Sequence, residues 1–154
     1  VTDAFQKSRR AVLLAEDDME MRLMLSEFLQ REGWSVIECK DGADLLTQVE
    51  PLLQGEEGVE YDLMVTDIRM PGATGMEVVE GIAHLPGCPP IILFTAFGDA
   101  ETHARARELG VAAILDKPFD MRDFTGAVRD AMIQSDFQRG KGKALDPQSR
   151  QMGS

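Results

Sequence analysis

Five short apolar runs, each closed by a polar or charged residue and each followed by a stretch with helical spacing, constrain this chain more than any other feature. The runs are Ala11 to Ala15, Trp34 to Glu38, Tyr61 to Thr66, Ile91 to Phe94 and Val111 to Leu115. They are too short for helices and rich in β-compatible residues, which predicts buried strands. Between them, Met19 to Glu32 sets Met21, Leu25, Phe28 and Leu29 on one stripe, with Asp18 as N-cap and Gly33 as the stop. Asp41-Gly42 turns the chain into a second helix, Ala43 to Leu53, and the polar stretch Gln54 to Glu60 reads as a loop. After the break at Met70-Pro71-Gly72, Gly75 to Leu85 predicts a third helix. Asp99 caps a fourth that ends at Leu109 before Gly110, and Asp120 caps a last one, with Phe124, Val128 and Ala131 at helical spacing. Strands alternating with helices imply parallel βαβ units with right-handed crossovers. The expected architecture is α/β: an open, doubly wound, five-stranded parallel sheet with helices on both faces.

The length of 154 residues suits one domain with a core. Residues 1–9 are read as an N-terminal extension, 10–135 as the domain, and 136–154, where breakers replace apolar residues, as a flexible tail or truncated linker. The formal net charge of −11 argues against a basic face that binds nucleic acid directly. No apolar run approaches the ~18 residues of a membrane span, and Val1 to Arg10 lacks the apolar core of a secretory signal. Cys39 and Cys88 have no metal-ligand spacing and read as ordinary thiols, which fits a reducing cytoplasm.

In an open α/β sheet, ligands sit outside the carboxyl ends of the strands. The residues delivered there are Glu16 and Asp17 after the first strand, Asp67 after the third, Thr95 after the fourth and Lys117 after the fifth. Three carboxylates in one cleft repel one another and call for a cation. Oxygen donors that leave room for water favour Mg²⁺. Phosphoryl transfer needs positioning and charge neutralisation more than covalent help. A metal on one side, the Lys117 ammonium on another and the Thr95 hydroxyl as a donor would supply both, with Asp67 as nucleophile. Taken singly, each residue has a plainer role: an acid after a strand is often a helix cap or a solvated loop residue, as Asp18 is expected to be. His84 and His103 read as surface positions rather than phosphodonors.

The segments LLAEDD, DLMVTDIRMPGATGMEV, ILFTA and ILDKPF resemble those of bacterial response-regulator receiver domains, of the chemotaxis-regulator type, over about Ala11 to Ile133. The resemblance implies a flavodoxin-like sheet of strand order 2-1-3-4-5, an order for which the general rule itself cites a receiver. It implies Asp67 as phosphoacceptor, Thr95 and Lys117 on the phosphoryl oxygens, and Mg²⁺ held by Glu16, Asp17, Asp67 and the backbone carbonyl of Arg69. It also implies a cis peptide before Pro118. Such a chain takes its phosphoryl group from a sensor histidine kinase or phosphotransfer protein and catalyses only its own phosphorylation and dephosphorylation. It relays the change to a downstream protein or an output domain, with a homodimer as one form. The α4–β5–α5 face is the family's usual contact surface and would include Arg105, Arg107 and Ile114.

Two features depart from the family pattern. Ile114 stands three residues before Lys117, where many members have an aromatic ring, so it either switches or simply packs on a helix. Arg69 and Phe97 occupy the positions that set acyl-phosphate lifetime, and the Phe97 ring either shields the phosphoryl group from water or points away. Two rival functions are a docking domain that works without phosphorylation, which would lack an Asp, Lys or acid pair, and an aspartyl-phosphate phosphohydrolase. The latter needs a second acid two residues after the nucleophile, where this chain has Arg69.

Overall fold

The computed structural model describes residues 9–56, 61–96 and 99–144. Along the chain run β1 (Ala11–Ala15), α1 (Met19–Arg31), β2 (Ser35–Cys39), α2 (Gly42–Leu53), β3 (Leu63–Asp67), α3 (Gly75–Ile82), β4 (Ile91–Thr95), α4 (Ala100–Leu109), β5 (Ala113–Asp116) and α5 (Met121–Ala144). The strands form one sheet in the order β2-β1-β3-β4-β5, and every pairing is parallel. The expected doubly wound architecture and strand order are both present.

Alternation along each strand divides the core in two. Leu13, Ala15, Met64 and Leu93 face Leu45 and Val49 of α2, Val78, Val79 and Ile82 of α3, and Ala106 of α4. Val12, Leu14, Leu63, Val65, Ile92 and Phe94 face Leu25 and Leu29 of α1 and Phe124, Ala127 and Ala131 of α5. Both faces are apolar because both are covered, so the strands read as continuous apolar runs. In the second layer the Phe94 ring stacks on Phe119 at 4.7 Å and lies 5.9 Å from Phe124.

The helix starts are where side-chain caps put them. Asp18, Asp41, Thr74 and Asp99 accept from Met21, Asp44, Glu77 and Thr102 N–H respectively. Gly110 closes α4 in the left-handed region at φ 78°.

Several boundaries differ from the sequence reading. α3 stops at Ile82 rather than Leu85, because Pro86 disfavours helical backbone at the residue before it. β5 starts at Ala113, not Val111, because the Val111 N–H is spent on Ala106 O in closing α4. α5 does not give way to a tail at residue 136 but continues through Ala144. Each glycine costs the helix only about 1 kcal/mol, so neither Gly140 nor Gly142 acts as a stop. The expected extension 1–9, apart from Arg9, and the tail beyond Ala144 lie outside the described residues, as do Glu57 to Glu60 and Phe97. No helix among the described residues is long and apolar enough to cross a membrane.

Candidate functional site

The polar residues predicted at the strand ends meet at the carboxyl edge of β1, β3, β4 and β5. Each strand stops where its ladder stops, so the next residue leaves the sheet from a fixed point. The Glu16 N–H still donates to Cys39 O at 3.1 Å, and Lys117 N–H donates to Thr95 O at 2.7 Å. Both side chains are thereby aimed over the edge.

Lys117 lies at the centre. Its Nζ donates to Asp67 Oδ2 at 2.5 Å and to Glu16 Oε1 at 2.8 Å. Asp67 Oδ1 accepts from the backbone N–H of Arg69 at 3.2 Å. Glu16, Asp67 and Thr95 are buried, whereas Asp17 and Arg69 are exposed. Carboxylate oxygens of Glu16, Asp17 and Asp67 all lie within 4.8 Å of one another. The Lys117–Pro118 peptide is cis. Ile114 is half-buried and packs with the first core layer, opposite Leu93 in the β4–β5 pairing.

The electrostatics of the cluster are those of a site built for more positive charge. Burial is the main cause that pushes the Glu16 carboxyl up to about 7; the neighbouring Asp67 adds to the rise and Lys117 opposes it. Burial alone would lower the Lys117 ammonium, but its bonds to Asp67 and Glu16 outweigh that and hold it above its ordinary value. Glu16 Oε2 is buried and has no hydrogen-bond partner among the described residues. A buried, unpaired carboxylate oxygen is costly. A hard cation bound by these three carboxylates would remove that cost, so the donor set fits a divalent ion of the Mg²⁺ kind.

The β3–α3 connection is held tightly against this cluster. Gly75 N–H donates to Ile68 O at 2.8 Å, and a Cβ at Gly75 would overlap the backbone carbonyl of Asp67. The requirement for glycine is therefore steric, since its φ is not positive.

Sequence reasoning missed two neighbours of the cluster. Arg22 donates to Glu16 O at 2.9 Å and pairs with Glu38 at 3.4 Å. Its position in the first turns of α1 was the available signal, because helical side chains lean back toward the N-terminus. His103 is not the plain surface residue expected. Its Nε2 lies 2.9 Å from Asp116 Oδ1, which ties α4 to the end of β5. His84 is exposed, as anticipated.

An open parallel sheet with an acid cluster and a lysine at its carboxyl edge places this chain among the doubly wound α/β domains, which bind ligands at that edge. Within that class the match is specific. The response regulator receiver domain family matches residues 12–129, and the chain belongs to that family. It is 33% identical over 132 residues to the transcriptional regulatory protein PdtaR of Mycobacterium tuberculosis, covering 85% of this chain and 60% of the relative. It is 26% identical over 121 residues to the sporulation initiation phosphotransferase F of Bacillus subtilis, covering 77% of this chain and 90% of the relative. The non-phosphorylated HemR receiver domain of Leptospira biflexa superposes with a TM-score of 0.68 at 27% identity, covering 80% of this chain and 94% of that one. The chain thus spans 60% of the length of the PdtaR relative.

Proposed function

We propose that this chain is a phosphorylation-activated signalling switch in which Asp67 accepts a phosphoryl group from a sensor histidine kinase or a phosphotransfer protein. The observation that carries the reading is the double engagement of Lys117 by Asp67 and Glu16 inside a three-carboxylate cluster. An Asp67 carboxylate oxygen attacks phosphorus, and the bond from phosphorus to the donor imidazole nitrogen breaks. The product is an acyl phosphate on Asp67, and the donor histidine, protonated on its other ring nitrogen, leaves as the neutral imidazole. Lys117 then turns from Asp67 Oδ2 toward the new phosphoryl oxygens, and the Thr95 hydroxyl donates to another. Glu16, Asp17, Asp67 and the Arg69 carbonyl would hold Mg²⁺, which when bound neutralises charge on the phosphoryl group.

The receiver unit is taken as residues 10–135, a reading supported by the family match over 12–129. Output passes through a population shift at the phosphorylated edge to a partner or an output domain. Ile114 offers no aromatic ring for this, so α4 and its tie to Asp116 are the better candidates for the moving part. Phe97 as a shield against hydrolytic water remains part of the proposal.

The test is intact-mass measurement after incubation with a small phosphodonor and Mg²⁺. One phosphoryl group is expected on the wild type and none on Asp67→Asn. Equal labelling of the two, or none on either, would sink the reading.

A further inference from the structure

Arg22 is the charged residue of α1 whose side chain turns inward, with 14% of it exposed. One guanidinium nitrogen donates to the Glu16 carbonyl at 2.9 Å, and Nε stands 3.4 Å from Glu38 Oε1. The first contact matters because of where Glu16 lies. Its N–H is the last to follow the β1–β2 ladder, on Cys39 O. Its carbonyl is the one that Arg22 takes up. The peptide plane before Glu16 is therefore fixed by the sheet, through the Glu16 N–H, and the plane after it, between Glu16 and Asp17, by the guanidinium on the Glu16 carbonyl. That plane sets the direction in which the exposed Asp17 side chain leaves the backbone.

We infer that Arg22 is a positioning residue for the cation site: its planar fork, anchored on Glu38, holds the Glu16–Asp17 peptide so that both carboxylates converge with Asp67. The inference rests on the metal reading made above. Two effects of Arg22 oppose each other. A positive charge near a cation site weakens cation binding by Coulomb repulsion, which Glu38 partly offsets. A guanidinium held at two points strengthens binding by sparing the ion the cost of ordering the loop. Groups that orient metal ligands typically carry 10–100-fold in metal affinity, so positioning is expected to win.

This opposition makes the test decisive. The Mg²⁺ dissociation constant is measured calorimetrically on the full chain for wild type, Arg22→Met, Arg22→Lys, Glu38→Gln and Asp17→Asn, with thermal melts of each in chelator. Arg22→Met is expected to bind Mg²⁺ about tenfold more weakly although it has lost a positive charge. Arg22→Lys, which keeps the charge but not the fork, should fall between it and wild type. Glu38→Gln should weaken binding too, by releasing the anchor and by removing a negative charge that offsets Arg22. Asp17→Asn should lose most of the binding. Unchanged or tighter binding by Arg22→Met overturns the inference, because charge alone would then account for Arg22. If Arg22→Met does not fold, Arg22→Lys decides, because it keeps the charge and loses the fork, and wild-type affinity in that variant overturns the inference. A wild type that takes up no Mg²⁺ refutes the metal reading and the inference with it. A wild type that binds, beside an Arg22→Met that binds equally, refutes the inference alone.

Discussion

Glu16 holds a carboxyl group fully buried beside another carboxylate and, among the described residues, is stabilised in its charged form by Lys117 alone. Its ordinary value of 4.5 applies to the unfolded chain, and about 7 to the folded one. Between these values the folded form keeps a proton that the unfolded form has released. Folding is therefore favoured at the acid end, and this group's contribution to stability falls as pH rises from about 4.5 to about 7, then levels off. Glu16→Gln, neutral and of the same shape, should lose that slope. In urea unfolding with chelator present, the stability of wild type minus that of Glu16→Gln should drop by on the order of 2–3 kcal/mol between about pH 5 and pH 8. A constant or rising difference would show that Glu16 ionises freely. The membership of this cluster was legible in the sequence, because strand ends in a parallel sheet point to one edge. Its internal bonding was not. That Lys117 would grip Glu16 as well as Asp67, or that Arg22 would seize the Glu16 carbonyl, depends on distances that strand spacing does not give.

Among the helices, α4 has the weakest claim to its place. Ala106 is its one buried residue, whereas α3, shorter by two residues, buries Gly75, Val78, Val79 and Ile82. α4 is held instead by polar ties on both flanks, from Arg105 to Glu80 of α3 at 3.2 Å and from His103 to Asp116 of β5 at 2.9 Å. Such exposed pairs contribute only about 0.2–1 kcal/mol each. Backbone amides of α4 should therefore exchange with deuterium faster than those of α1 or α3, and His103→Ala should speed α4 further without altering α1. Protection of α4 equal to that of α3 would contradict this ranking. The opposite case is the start of α3, where a Cβ on Gly75 would meet backbone rather than a movable side chain. Gly75→Ala should cost about 3 kcal/mol, read as a lowered urea midpoint; a loss within the error of measurement would mean the loop can give way. At this scale the sequence specified which elements exist, since apolar period and capping residues agreed at Asp18 and Asp99. It failed at ends decided by tertiary hydrogen bonds, as at Val111, or by the low cost of individual glycines, as at Gly140 and Gly142 in α5.

For the molecule as a whole, the same sheet that carries the core carries the site, so occupancy of the site and stability of the fold are linked. Phe94, fully buried in the layer under α5, precedes Thr95 on β4, and Val65 stands two residues before Asp67 on the same face of β3. Unfolding scatters Glu16, Asp17 and Asp67, which come from two separate strands, so the unfolded chain has no comparable cation site. An ion that binds only the folded form stabilises it by RT ln(1 + [L]/Kd), about 2.7 kcal/mol at one hundred times Kd. For a chain of this size that corresponds to a rise in Tm of roughly 5–10 °C. Neutralising the buried acids should add to the effect above about pH 7, where Glu16 is ionised as well and the metal-free site bears its full repulsion. Thermal melts with increasing Mg²⁺ should climb by this amount for the wild type. They should stay flat for Asp17→Asn, whose exposed carboxylate contributes to the cation site and not to the core. If Asp17→Asn climbed in parallel with the wild type, the stabilisation would come from general screening of the −11 charge rather than from an ion held at the strand ends.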